Sequence, residues 1–206
     1  MSIRSINWPI SCIAGALILI ISWIYILISI TLFPGAFSPL NNYVSDLGNY
    51  SLNPVGAIIY NIGTIISGCL MVIYFYYLYI FYPEKKRDKN LLTLTRILGF
   101  LSGFAIIMVA IYSEDYWMEH VFWSAVVFLL VFLINISGGL FFLVHPDSIK
   151  KIGFFNLTVA AFHISYIFIL DPTYIILEWI NLVLGHCSMA LAVYNYKQMY
   201  DQKSKY

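Results

Sequence analysis

Six apolar runs dominate this chain of 206 residues, at about Ile10 to Phe33, Val55 to Tyr82, Leu91 to Tyr112, His120 to Val144, Ile152 to Leu170 and Tyr174 to Tyr196. A helix needs about 20 predominantly apolar residues to cross roughly 30 Å of hydrocarbon, so each run is long enough to span, with some tilt for the longer ones. Backbone polar groups in lipid must be satisfied within their own segment, which makes helices the expected form. Hydrophobic residues make up 61% of the chain and charged residues 10%, against roughly a quarter charged in a soluble domain. A soluble core cannot absorb that much apolar surface. The expected architecture is an all-α membrane protein, a single six-transmembrane-helix bundle over residues 1–206 with no separate soluble domain.

The distribution of charge orients those spans. All 11 Lys and Arg residues fall at the N-terminus (Arg4), in or beside the second connection (Lys85, Lys86, Arg87, Lys89, Arg96), in the fourth (Lys150, Lys151) and at the C-terminus (Lys197, Lys203, Lys205). The first, third and fifth connections hold acids instead: Asp46, then Glu114, Asp115 and Glu119, then Asp171 and Glu178. By the positive-inside rule both termini are expected on the cytoplasmic side of a multi-pass protein of the cell membrane. Trp8 and the tyrosines from Tyr74 to Tyr82 suit an inner aromatic belt, Trp117 and Trp179 an outer one. The first run is too long for a signal-peptide core and is expected to stay as the first span. Cys12, Cys69 and Cys187 all lie in apolar runs and show no disulfide or metal-type spacing.

The first outer connection, about Pro34 to Pro54, reads as more than a loop. Ser38-Pro39 supplies an N-cap with proline at the first helical position, Leu40, Tyr43, Val44 and Leu47 recur at helical spacing, and Gly48 sits where a C-cap glycine belongs. The pattern predicts a short amphipathic helix at the outer interface, with Asn41, Asn42, Ser45 and Asp46 on its polar side. Asn53-Pro54 repeats the cap-plus-proline device before the second span.

Helices in lipid associate through small residues and interhelical hydrogen bonds, so polar and small positions mark inward faces. Gly99, Ser102 and Gly103 form a close-packing seam on the third run. His120, Ser124, Asn135 and Gly138 share one face of the fourth, Asn156 and His163 align on the fifth, and Glu178, Asn181, Gly185 and His186 share one broad side of the sixth. Asn61 lies in the outer third of the second. At 1.5 Å per residue, His163 lies about 10 Å and His186 about 12 Å below the outer boundary.

These residues converge on one leaflet that carries no basic side chain. The carboxylates there must pair with protons, histidines, a cation or a cationic ligand. The expected pocket faces outward and draws on Asn42, Ser45, Asp46, Asn61, Glu119, His120, His163, Glu178, Asn181 and His186, binding a cation or a lipid head group. In its catalytic version, His120, His163, His186 and Asp46 would hold a divalent metal such as zinc, and a metal-activated water would serve a metal-dependent lipid hydrolase. No two histidines stand at the i, i+4 spacing of a helical zinc motif, and no nucleophile elbow is present. The alternative reading is a non-catalytic membrane scaffold or partner subunit, in which the same side chains are interhelical glue; a small transporter is the third. Glu114-Asp115 reads as a solvated loop. Every lysine is cytoplasmic on this topology, which excludes a retinal Schiff base. The Lys85–Lys89 cluster suits anionic lipid head groups, and no nucleic-acid module surrounds it. The expected partners are membrane lipids.

The run Phe37-Ser38-Pro39-Leu40-Asn41-Asn42-Tyr43-Val44-Ser45-Asp46-Leu47-Gly48, with Asn53-Pro54 and Asn61-Ile62-Gly63 after it, resembles the membrane family called domain of unknown function 998. Ser113-Glu114-Asp115 followed by Glu119-His120 is similar to that family's acidic-then-histidine segment. The resemblance implies a six-helix bundle of prokaryotic membranes and no settled activity. A more distant likeness to membrane ceramidase-type hydrolases implies Ser45, Asp46, His120, His163 and His186 as their Ser, Asp and three His around zinc.

Overall fold

The computed structural model describes residues 8–168 and 175–203, and these contain helices and no strand. The helices are α1 (Ile10–Thr31), α2 (Gly56–Tyr77), α3 (Lys86–Ile111), α4 (Trp117–Val144), α5 (Lys150–Phe168) and α6 (Ile175–Lys203), with short 3-10 turns at Ser45–Gly48 and Leu78–Phe81. Five of them are long and apolar enough to cross a membrane; α5 falls short of that measure among the described residues. Arg4, Lys205 and Asp171, and the ends expected at Leu170 and Tyr174, lie outside the described residues.

Punctuation by proline explains most boundaries. Pro34, Pro54, Pro83 and Pro146 each stand in a connection, where a missing N–H and a fixed φ stop one helix or precede the next. Gly35 carries the one positive φ among the described residues, +95°, as the chain turns away from α1. Two helices run beyond their apolar stretches: α3 begins at Lys86 and α6 continues to Lys203. Charged residues are good helix formers once outside hydrocarbon.

Consecutive helices pack side by side, and α6 meets both α5 and α1, so the chain forms a closed ring around a central space. Two glycine seams draw neighbours together. A Cβ on Gly103 of α3 would lie 2.9 Å from the Gly68 carbonyl oxygen of α2, and one on Gly153 of α5 would lie 2.8 Å from that of Gly139 on α4. Such contacts replace the hydrophobic driving force that lipid does not supply between helices. At the lysine-bearing end a core of Phe81, Phe141, Phe142 and Tyr196 closes the ring, with Phe81 and Tyr196 rings 4.7 Å apart. There Arg96 of α3 satisfies the open end of α2: its Nε donates to the Phe75 carbonyl at 3.0 Å and its Nη2 to that of Tyr76 at 2.8 Å. Those are carbonyls a helix C-terminus leaves without a backbone partner. Lys197 lies over the Trp8 ring at 5.7 Å, so the start of α1 and the end of α6 share this end.

The connection between α1 and α2 departs from expectation. Instead of an interfacial helix from Ser38 to Gly48, the chain makes a turn at Ser38–Asn42 and then the single 3-10 turn Ser45–Gly48. Ser38 does cap that turn, its Oγ accepting from Leu40 N–H at 3.3 Å. The reason the helix does not form lies in tertiary bonds that claim its backbone: Val44 N–H donates to Glu178 Oε2 at 2.7 Å, and the Asn42 carbonyl accepts from Trp179 Nε1 at 2.8 Å. Val44 and Leu47 are buried while Leu40 is exposed. The segment therefore sits on the bundle as a lid. Gly48 is not a left-handed cap either; a Cβ there would meet Asn61 Oδ1 at 2.6 Å, so close approach to α2 is what requires glycine.

Candidate functional site

Beneath this lid lies a cavity of about 300 Å³, bounded by all six helices. That is the lower end of the range of small-molecule sites, about 300–1,000 Å³. At the lid end its wall includes Ser45, Asn61, Glu114, His120, Glu178 and Asn181, and slightly deeper His163 and His186. Further toward the lysine-bearing end the wall is largely apolar, interrupted by Asn135, Asn156 and Ser188. No described Lys or Arg lines it.

These polar groups are held by their own helices, by the lid, by the α3–α4 connection or by one another. His163 and His186 sit in α5 and α6 with Nδ1 at 2.8 Å from the carbonyls of Val159 and Leu182, one turn back. His120, near the start of α4, places Nδ1 2.9 Å from the Tyr112 carbonyl. A carbonyl only accepts, so in each ring Nδ1 carries the proton. Trp23 of α1 stands against His186, ring centroids 5.6 Å apart. Asn181 donates Nδ2 to the Leu177 carbonyl at 2.9 Å, and its Oδ1 has no partner. Asn61 donates to the Gly48 carbonyl at 2.9 Å and so ties α2 to the lid. Deeper in, Ser188 Oγ lies 2.5 Å from Asn135 Oδ1 and 3.2 Å from Asn156 Oδ1, which links α4, α5 and α6.

The remaining expected members do not join. Glu119 is exposed, because it is one residue from His120 and hence about 100° around α4 from the inward face. Asp46 is buried but turned into the lid, accepting from Asn42 Nδ2 at 3.2 Å and Tyr43 N–H at 3.1 Å. Asn42 is spent on that bond and on the Ser38 N–H, and does not line the cavity. Among the described residues no three His, Cys, Asp or Glu side chains gather as a metal-holding group, so the expected set His120, His163, His186 and Asp46 is not assembled. The three histidines stand on three different helices, and Asp46 is held in the lid by Asn42 and Tyr43. The residues do not fit zinc.

Glu114 is the member that sequence reasoning passed over. Its neighbour Asp115 is exposed and accepts from Tyr50 N–H at 2.8 Å, Ser51 Oγ at 2.8 Å and Ser113 Oγ at 3.0 Å, which clamps the α3–α4 connection to the lid. Clamping Asp115 outward turns Glu114 inward, where Asn49 Nδ2 donates to it at 3.2 Å. Slight burial acts the other way on Asp115, but the donors from Tyr50, Ser51 and Ser113 prevail and hold its carboxyl below the usual range. Burial pushes Glu114 up to about 7 from an ordinary 4.5, and the Asp46 carboxylate beside it pushes the same way.

The folded state holds the Glu114 proton more tightly, so its contribution to stability is complete below about 4.5 and is lost as pH rises through about 7. Glu114→Gln keeps the shape without the charge. Its melting temperature is expected to match wild type near about pH 4 and to exceed it above about pH 8. Thermal unfolding of both proteins across that interval checks this; parallel curves would mean that the carboxyl ionises as freely folded as unfolded.

The family described as Protein of unknown function (DUF998) matches residues 13–160. That range takes in α1 through most of α5, the lid and the α3–α4 connection. No curated protein and no solved structure matches the chain.

Proposed function

This chain belongs to the DUF998 family of proteins of unknown function, and from the chemistry of its own cavity we propose that it is a six-span protein of the cell membrane that binds an amphiphile at its outer leaflet. In this reading both termini are cytoplasmic, the lid faces outward, and the polar end of the cavity receives a lipid head group or an organic cation. The supporting observation is the polarity of one continuous cavity: acids, histidines and an unpartnered carboxamide oxygen at the lid end, apolar wall beyond, and no described Lys or Arg among them. Groups of that kind are costly inside a membrane protein and are functional candidates by default.

A non-catalytic scaffold is the second reading, favoured by the bonds that histidines and Ser188 make within the bundle. Filling the cavity separates the two. A Cβ on Gly185 of α6 would meet nothing closer than His163 Nε2 at 4.0 Å, so Gly185→Leu enters open space rather than a helix seam. Native mass spectrometry of protein released from its membrane is expected to show a co-purifying amphiphile on wild type and none on Gly185→Leu, with both equally folded. An empty wild type, or an amphiphile retained by the variant, would leave the scaffold.

A further inference from the structure

We propose that the occupant of this cavity is a single-chain amphiphile whose head is a protonated amine bearing N–H groups, seated among Glu178, Glu114 and the Asn181 carboxamide oxygen, with its chain running toward the lysine-bearing end. The inference rests on the cavity being a ligand site and adds the chemical class of the ligand.

The first observation is an acceptor without a donor. Asn181 is 2% exposed, its Nδ2 is committed to the Leu177 carbonyl, and its Oδ1 has no partner. Of the four buried side-chain atoms without a partner among the described residues, the others are Ser11 Oγ, Asn53 Oδ1 and Asn195 Nδ2, and those residues do not line the cavity. A buried carbonyl left unpaired is unfavourable, and a ligand donor would remove that penalty. The histidines add to the same side of the balance. With Nδ1–H given to the backbone, His163 and His186 each present Nε2 as an acceptor.

The second observation is charge. Glu114 and Glu178 both line the lid end and no described Lys or Arg does. Lining hydroxyls such as Tyr60 supply donors without charge. Above about pH 7, where Glu114 has given up its proton, what complements this wall is therefore positive and rich in donors. A quaternary ammonium brings charge but leaves Asn181 Oδ1 unpaired, an alcohol brings one donor but no charge, and an anion is repelled. Among the described residues a metal ion lacks a gathered set of three ligands. A protonated amine supplies both properties in one group, and hydrogen bonds to charged groups are the strong ones.

The third observation is what lies below the head. Ile18, Met71, Leu78, Phe142 and Met189 line the inner part of the cavity. The polar layer there is drawn together at Ser188, whose single hydroxyl proton goes to one of the Asn135 and Asn156 carboxamide oxygens. The volume of about 300 Å³ has room for roughly ten methylene-sized groups, taking each near a water's share of about 30 Å³. A chain of about eight carbons with its head fits that space.

The test uses full-length protein in phosphatidylcholine nanodiscs, titrated calorimetrically with octylammonium, octyltrimethylammonium and octanoate. Octylammonium is expected to bind about tenfold tighter than octyltrimethylammonium, with octanoate not binding, because only the first offers both charge and N–H donors. Glu178→Gln keeps an acceptor for Val44 N–H and is expected to weaken octylammonium by about tenfold. Glu119→Gln, at an exposed position, should leave it unchanged. If octyltrimethylammonium matches octylammonium, or Glu178→Gln binds as wild type does, the N–H amine head is wrong while the cavity remains a ligand site. If octanoate binds as well, the cationic head is wrong. If none binds, or if Gly185→Leu leaves all three isotherms unchanged, the ligand-site reading falls with it.

Discussion

Gly103→Leu is expected to prevent α2 and α3 from closing on each other and to abolish the cooperative unfolding transition of the bundle. At this crossing the two backbones touch: a Cβ on Gly103 would lie 2.9 Å from the Gly68 carbonyl oxygen and 2.9 Å from Val72 Cγ2, and one on Gly68 would lie 2.8 Å from the Gly103 carbonyl oxygen. A backbone oxygen cannot rotate away as a side-chain tip can, so one added carbon must push the helices apart. Gly103→Ala is accordingly expected to cost about 1–3 kcal/mol, the usual range for overpacking, and leucine more. Gly138 supplies the contrast. It is also a buried glycine within a long helix, but a Cβ there would meet only Thr95 Cγ2 at 3.5 Å, an ordinary contact. Gly138→Ala should stay within about 0.5 kcal/mol of wild type. Unfolding in mixed micelles by a denaturing detergent, followed by circular dichroism, distinguishes the two. Equal losses at both positions would mean that the α2–α3 seam is no tighter than the rest of the ring.

That seam was legible in the sequence, because Gly99, Ser102 and Gly103 fall on one face of a run otherwise built from large apolar residues. So was the inward turn of His120, His163, Asn181 and His186, which follows from helical periodicity and from the rarity of such groups in lipid. Periodicity alone also rules Glu119 out, since a residue adjacent to His120 cannot share its face. Depth along the membrane groups Glu119 with His120, but depth does not say where a side chain points.

The connections were less legible, for a physical reason. A short segment such as residues 38–48 has weak helical preference of its own, and isolated helices of that length are marginal. Its conformation is decided by partners remote in sequence: Glu178 and Trp179 on α6, Asn61 on α2, and Glu114 and Asp115 between α3 and α4. None of those pairings has a periodic signature. Glu114 and Asp115 make the same point within two residues, one lining the cavity and the other exposed, because donors on the lid select which of them turns outward. The absence of a gathered metal set is of the same kind. Three histidines at similar depth become ligands only if their ring nitrogens converge, and among the described residues no three such side chains gather.

Asn53→Ala is expected to release the lid from α1 and to cost about 2 kcal/mol. Asn53 opens the Asn-Pro pair ahead of α2, yet its side chain does not cap that helix; it is fully buried, with Nδ2 at 2.9 Å from Ser29 Oγ, 3.1 Å from the Leu47 carbonyl and 3.3 Å from the Ser29 carbonyl. Ser29 in turn lies 3.1 Å from the Leu47 carbonyl and 3.0 Å from that of Gly56. Two side chains thus tie α1, the 3-10 turn of the lid and the start of α2 to one another. Interhelical hydrogen bonds in membrane proteins average only about 0.6 kcal/mol, but truncating Asn53 also strands buried acceptors, at about 1–3 kcal/mol. Because Ser29→Ala breaks an overlapping set, the double variant should lose less than the two single losses together, with a coupling of about 0.5–3 kcal/mol. Global unfolding gives the coupling, and amide hydrogen exchange at Leu47 and Gly48 reads the lid itself. Exchange there should quicken in Asn53→Ala while the amides around Gly68 and Gly103 keep wild-type protection; unchanged exchange at Leu47 would show that the lid is held by Glu178 and Asp115 alone.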